Sequence, residues 1–470
     1  MTCRNRIHLA ALLLVSLASR DASAASLDYV DVSPAQPVIP QRVFQIDSFG
    51  ATADGKTLNT GAFKRAMSAV EKAGGGMLVV PAGVYLTEAF DVCSGVNLHL
   101  DAGATILFSP RETLLDHDYE LHPLLFGKNV HDVTISGAGT INGSGEAWWG
   151  EANESYRTRS PLAPRPLMVV FRNCQRIRVE GVTLTHSPTY NLTTDFCQDV
   201  SVVGITIYNP ALDNAKDDGI DPLRVQQALV KEYAYDAHNT DGIDPGGCQR
   251  VLIDHCHIDT GDDCIAVSGG ERKGTFTKDV LVTDCTFVHG HGCSIGSGTN
   301  GGVSNMRVRR CTFDGTKAGI HLKSARDRGG VVEHLDFSDL TMTNVGEAVL
   351  ITSYYDQIDI HIYYRPYLKK FSIDLANGGH DKAQPVTDTT PYWRDITIRN
   401  VTATCIWEAG MVLGLPEAPA DHITFEHVHI QAPEGFRINY ANDVTLRDMV
   451  VRTERGPSLI VGDSVTGLKK

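Results

Sequence analysis

Four polar groups follow one another through the middle of this chain, about one repeat apart. They are Asn239-Thr240-Asp241-Gly242-Ile243-Asp244, then Gly261-Asp262-Asp263-Cys264, then Gly290-His291-Gly292 with Ser294-Ile295-Gly296-Ser297, then His321-Leu322-Lys323-Ser324. Asp241, Asp262, Asp263, His291, His321 and Lys323 each fall 14 to 20 residues after the start of their own repeat unit. Similar offsets put them on one side of any fold that stacks the units. Carboxylates so close repel one another, so one should hold a proton near neutral pH while the others stay ionised. That pairing suits glycosidic hydrolysis, in which one acid protonates the leaving oxygen and an ionised carboxylate activates water. Histidine nearby tunes the acid or orients substrate, and Lys323 offers a cation to an acidic sugar.

Taken singly, each group has a plainer reading. Asn-Thr-Asp-Gly is common turn chemistry, with Asp bonding backbone and Gly taking positive φ. Asp262-Asp263 alone fits a turn or half a calcium site, and a histidine between glycines is more often structural than catalytic. The joint arrangement is what favours chemistry. Ser294 and Ser297 are read as structural, since no base-and-orienter set accompanies them.

The elements that must position these groups are repeated strands. From Cys93 a motif x-x-x-apolar-x-apolar recurs, with fourth positions Val96, Val133, Ile177, Val200, Ala228, Val251, Val280, Met306, Leu335, Ile396, Ile423 and Val444. Two-residue alternation means strands with one buried face, and a period of 20 to 30 residues means a coil. Returns rich in Gly, Asp, Thr and Ser argue against a leucine-rich repeat, and so many copies of one motif argue against a sandwich. The expected fold class is all-β, a parallel β-helix, with a short N-terminal capping helix over Asn59 to Lys72. Cys256, Cys285 and Cys311 occupy equivalent positions and read as small buried hydrophobes rather than disulfides. Residues Tyr363 to Pro391 interrupt the beat and read as a surface loop beside the helix.

Composition bounds the setting. Residues 1–24 read as a signal peptide, with Arg4 and Arg6, an apolar run from Leu9 to Ala18, and Ala22-Ser23-Ala24 at the cleavage site. The remainder, 25–470, reads as one β-helical catalytic domain, secreted or periplasmic. The formal charge is -14, which gives no attraction for nucleic acid or an anionic membrane. The same field repels a polyanion, so an acidic-sugar site must carry its own cations. Eleven cysteines are too few for a disulfide-built core, and no zinc-like pair appears.

The four groups, in this order, resemble the signatures of the polygalacturonases, glycoside hydrolase family 28. The likeness runs from about Phe44 to Leu446 and is densest from Asn239 to Ser324. The resemblance implies a right-handed parallel β-helix, an inverting mechanism, no metal or other cofactor, and an acidic plant polysaccharide (pectin, galacturonan) as partner. It implies Asp262 as general acid, Asp241 and Asp263 as the pair that activates water, and His291 as support for the acid's protonation. Asn239, Lys323 and His321 would meet the substrate. A monomer is expected. Two departures stand out. The family's fourth signature begins with arginine where this chain has His321, which leaves open that His321 fills space while Arg326 or Arg328 binds the uronate. A near-copy of the first signature, Asp217-Asp218-Gly219-Ile220-Asp221-Pro222, precedes it by 23 residues, and Asp218 is read as structural or as a distal subsite group. The competing readings are a hydrolase of rhamnogalacturonan or substituted galacturonan, a calcium-dependent pectate-lyase-like enzyme, and a non-catalytic β-helical carbohydrate-binding protein.

Overall fold

The structure is a computed structural model and describes residues 32–109, 122–150, 152, 164–209, 237–270, 274–355 and 377–470. Residues 1–24, read above as a signal peptide, and the Asp217–Pro222 near-copy lie outside the described residues.

The alternating motif does what its period demands. Its apolar fourth positions form one column of parallel-paired residues, Val133, Ile177, Val200, Val251, Val280, Met306, Leu335, Ile396, Ile423 and Val444, each in register with the next. All are at most 1% exposed. Successive coils stack one strand spacing apart, about 4.8 Å, giving the parallel β-helix expected from sequence. The stack begins earlier and ends later than the motif suggests, from Val43–Gln45 paired on Gly76–Val80 to Leu459–Val461 paired on Phe436–Ile438. No helix among the described residues is long and apolar enough to cross a membrane.

One expected coil is absent from the stack. The strand Gln198–Val203 pairs directly with Gln249–Asp254, so no coil built on Ala228 and Val230 stands between them. Both residues fall in 210–236, outside the described residues.

Helix α1, Thr60–Lys72, covers the N-terminal end as its pattern predicts. It buries Ala62, Phe63, Ala66, Met67 and Val70, and Phe63 stacks on Phe90 with ring centroids 4.6 Å apart. Cys256, Cys285 and Cys311 are buried free thiols, and so are Cys174, Cys197 and Cys248 in a second file. The described part of the Tyr363 to Pro391 segment packs beside the helix, where Asp381 accepts from Tyr354 and Arg326.

A second column lies immediately outside the first. The residue before each core position has left-handed backbone: Asp132, Arg176, Asp199, Arg250, Asp279, Asn305, His334, Asp395, His422 and Asp443, with φ between 46° and 60°. Such φ values are uncommon for residues other than glycine. Charges in this column largely alternate, and stacking pairs Asp132 with Arg176 at 2.6 Å and Asp199 with Arg250 at 2.7 Å.

Candidate active site

The four polar groups sit where one side of the helix turns into successive strands. The register Ile243, Ile265, Cys293, Ile320 runs through four coils. Two residues back along each of the first three stand Asp241, Asp263 and His291. One residue forward stand Asp244, Ala266, Ser294 and His321. Sequence spacing therefore brings the named residues together. Gly292 is required for this closeness: its φ is +83°, and a Cβ there would lie 2.0 Å from the Ala318 carbonyl oxygen. Only glycine lets the neighbouring coil approach so near.

Asp262 is held as an anion. Its Oδ1 accepts from the Asp263 N–H at 2.9 Å and faces His291 Nδ1 at 2.9 Å, and its Oδ2 accepts from Asn239 Nδ2 at 3.1 Å. Asn239 is itself oriented by Arg165, whose Nη2 donates to Asn239 Oδ1 at 2.7 Å. Burial alone would raise the Asp262 pKa, but His291, Lys323 and His238 outweigh it and hold the carboxyl well below its usual range. Asp263 Oδ2 is 2.9 Å from Lys323 Nζ, and its Oδ1 accepts from Ser294 Oγ at 2.6 Å. Burial is again overcome, here by Lys323 and His321, and Asp263 too stays ionised.

The other two carboxyls are pushed the opposite way. Asp241 and Asp244 are raised well above the usual range by burial and then by the surrounding aspartates. Asp241 Oδ1 and both oxygens of Asp244 are buried without a hydrogen-bond partner, which suits the neutral acid better than the anion. The site thus separates its carboxyls into two that ionise readily and two that keep a proton. This separation is what acid–base work on one bond needs.

Asp241, Asp244, Asp262, Asp263, Asn239 and Lys323 line an open cleft of roughly 580 Å³, a common size for a ligand site. His291 and His321 stand behind its wall, 8% and 1% exposed. His321, expected among the substrate-binding residues, thus lies behind the lining rather than in it. The Ser294 hydroxyl gives its only proton to Asp263, so His321 Nδ1, 3.1 Å from Ser294 Oγ, must be the donor to it. Ser294 and Asp263 link His321 to the cleft. Ser294, read as structural, belongs to this charge network. Lys323 is engaged by Asp263 and also lies 5.4 Å from the Tyr355 ring centroid. Of the two arginines considered for a uronate, Arg326 is bound to Glu417 and Asp381. Arg328 instead lies against the cleft, 5.0 Å from the Tyr355 ring and bonded to Ser297 Oγ.

Sequence reasoning did not single out Asp244, Arg165, Tyr190 or Tyr355. Asp244 stood inside the first group, and its two-strand alternation with Gly242 was the available signal. Arg165 and the tyrosines come from other segments and left none. The donor atoms of Asp262, Asp263 and His291 lie within 4.8 Å of one another. The Lys323 ammonium on Asp263 opposes a divalent cation there.

Comparison with known proteins gives the family and the fold. Residues 75–362 match the model of the family described as glycosyl hydrolases family 28. A probable polygalacturonase of Vitis vinifera is 28% identical over 415 residues, covering 81% of this chain and 73% of the relative. A polygalacturonase of Ralstonia solanacearum is 29% identical and is spanned over 58% of its length, 59% of this chain. Among solved structures, an exopolygalacturonase from Thermotoga maritima superposes with a TM-score of 0.66 at 24% identity, covering 88% of this chain and 94% of that one. A polygalacturonase from Erwinia carotovora gives 0.63 at 20% identity, covering 91% and 98%. These likenesses to structures speak for the fold.

Proposed function

Because the chain belongs to glycosyl hydrolases family 28, we propose that it hydrolyses the α-1,4 bonds between galacturonic acid residues of pectin, by an inverting acid–base mechanism. The observation that carries this reading is the convergence of Asp241, Asp262 and Asp263 on one cleft, with Asn239 and Lys323 beside them.

In this reading Asp262 gives a proton to the leaving glycosidic oxygen. Asp241 and Asp263 hold the water, and Asp241, with the higher proton affinity of the two, accepts its proton. The free protein carries the opposite distribution, with Asp241 protonated and Asp262 ionised, which is the state that hydrolysis leaves behind. Each turnover must therefore return one proton from Asp241 to Asp262. Asn239 and His291 keep the two Asp262 oxygens in place for that transfer. Lys323 and Arg328 supply the positive charge for a uronate, and Tyr190 and Tyr355 supply ring surface beside it.

The proposed setting is extracellular or periplasmic, after removal of residues 1–24, with the rest acting as one β-helical domain. The second reading is a rhamnogalacturonan or substituted galacturonan backbone, favoured by a buried His321 at the position where a guanidinium would grip a plain uronate with two bonds. Product analysis by size on polygalacturonate and on rhamnogalacturonan, with and without a chelator, tests both. Oligogalacturonides formed with chelator present support the first reading. Cleavage of rhamnogalacturonan alone supports the second, and an ultraviolet-absorbing unsaturated product would overturn both.

A further inference from the structure

Three side chains on three successive coils form a file: Asp262, His291 and Lys317. The Asp262 Oδ1 to His291 Nδ1 distance is 2.9 Å, and His291 Nε2 to Lys317 Nζ is 3.0 Å. Backbone bonds fix the file, with the His291 N–H donating to the Asp262 carbonyl at 2.9 Å and the Lys317 N–H to the Gly290 carbonyl at 2.8 Å. An ammonium group has three donors and no lone pair. It can bond to Nε2 only if that nitrogen is bare. The network thus assigns His291 as the neutral ring with its proton on Nδ1, donated to Asp262.

We propose that Lys317 is a positioning residue for catalysis: by facing His291 Nε2 it disfavours a second proton on the ring, and so raises the share of a proton entering this file that sits on the Asp262 carboxyl, where it can be given to the leaving oxygen. The inference rests on the reading of Asp262 as the general acid. One added proton can produce two states. In one, Asp262 is a neutral acid beside neutral His291. In the other, Asp262 is an anion beside an imidazolium and has nothing to donate. The second state places an N–H against the Lys317 ammonium, losing a hydrogen bond and adding a like-charge contact. Charged groups on both neighbouring coils enter this balance. Asp262 and Asp263 from the preceding coil favour the imidazolium, while Lys317 from the following coil and burial oppose it, and burial with Lys317 prevails. The nearby His289 is paired with Asp259 at 2.9 Å.

The experiment uses the full chain with 15N-labelled histidine, in wild type, Lys317→Met and Lys317→Arg, with His291→Gln to identify the His291 signals. In wild type the ring should remain the neutral Nδ1–H tautomer into mild acid. In Lys317→Met it should become imidazolium at a pH higher by about one unit, the shift one close charge commonly gives. The active fraction of the protonated file should then fall, lowering the plateau of kcat roughly tenfold while the basic limb of kcat/KM moves to higher pH. Lys317→Arg keeps the charge and should keep the wild-type ring state and limb. A ring unchanged in Lys317→Met, a rate loss without movement of the basic limb, or an arginine variant that behaves like the methionine variant would each overturn the proposal. If the ring responds as expected but Asp262→Asn retains activity, the acid assignment fails while the Lys317–His291 coupling stands.

Discussion

Lys323 Nζ lies 2.9 Å from Asp263 Oδ2, with only 6% and 4% of the two side chains exposed. A cation so placed fixes the charge of Asp263 before any substrate arrives. Removing one partner of a buried pair leaves the other uncompensated, at a cost of about 3–5 kcal/mol. Lys323→Met should therefore lower stability by about that amount in denaturant titrations. Adding Asp263→Asn to it should recover most of the loss, because no bare charge is then left buried, yet restore no activity. A double variant no more stable than Lys323→Met would mean that the pair does not carry this energy.

Asp244 gives a pH-dependent prediction. Its folded-state pKa is raised, first by burial and then by Asp263, Asp262 and Asp195. The folded state thus binds this proton more tightly than the unfolded chain. The resulting stability is complete below the ordinary carboxylate pKa of about 4 and is lost as pH rises toward the raised folded value. Asp244→Asn imitates the protonated acid and escapes that loss. It should raise the melting temperature at pH 7 and leave it nearly unchanged at pH 4. An equal change at both pH values would contradict the account.

The roles of His321 and Arg328 separate by kinetics. His321 is buried behind Ser294 and Asp263, so His321→Gln should lower kcat with little effect on KM for polygalacturonate at any pH between 5 and 8. Arg328 stands beside Tyr355 and Ser297, so Arg328→Gln should raise KM several-fold, as loss of a charge-assisted contact would. The reverse pattern would return His321 to the substrate.

The acid and the base are told apart by the leaving group. Asp262→Asn should cost about 10²–10⁴ in turnover on the polymer, and much less on a galacturonide whose leaving group departs without a proton. Asp241→Asn should be as damaging on one as on the other. If Asp241→Asn is the variant rescued by the activated substrate, the two roles are exchanged.

The fold was legible because its signal is periodic. Every described apolar fourth position from Val133 to Val444 sits in one buried column, and the capping helix buries the side chains its spacing selects. The meeting of Asp241, Asp262, Asp263 and His291 was legible for the same reason, since equal offsets in stacked coils mean neighbours in space. What lay hidden was anything set by direction rather than position. Spacing placed His321 in the site but could not say that its side chain points behind Ser294. Nor could it say that Lys323 would be engaged by Asp263, or that Lys317, four residues before His321, would meet His291. The left-handed column from Asp132 to Asp443 was hidden too, because its residue types read as ordinary polar surface.

The central claim is hydrolysis of galacturonan with inversion, in which carboxyl groups roughly 6.5–9.5 Å apart admit a water on the face opposite the leaving group. Proton magnetic resonance of the first product released from polygalacturonate, taken before mutarotation, measures it directly. The account predicts new reducing ends that appear first as the β anomer, at an undiminished rate with chelator present. A first product in the α configuration, or an unsaturated product formed only with added calcium, would contradict it.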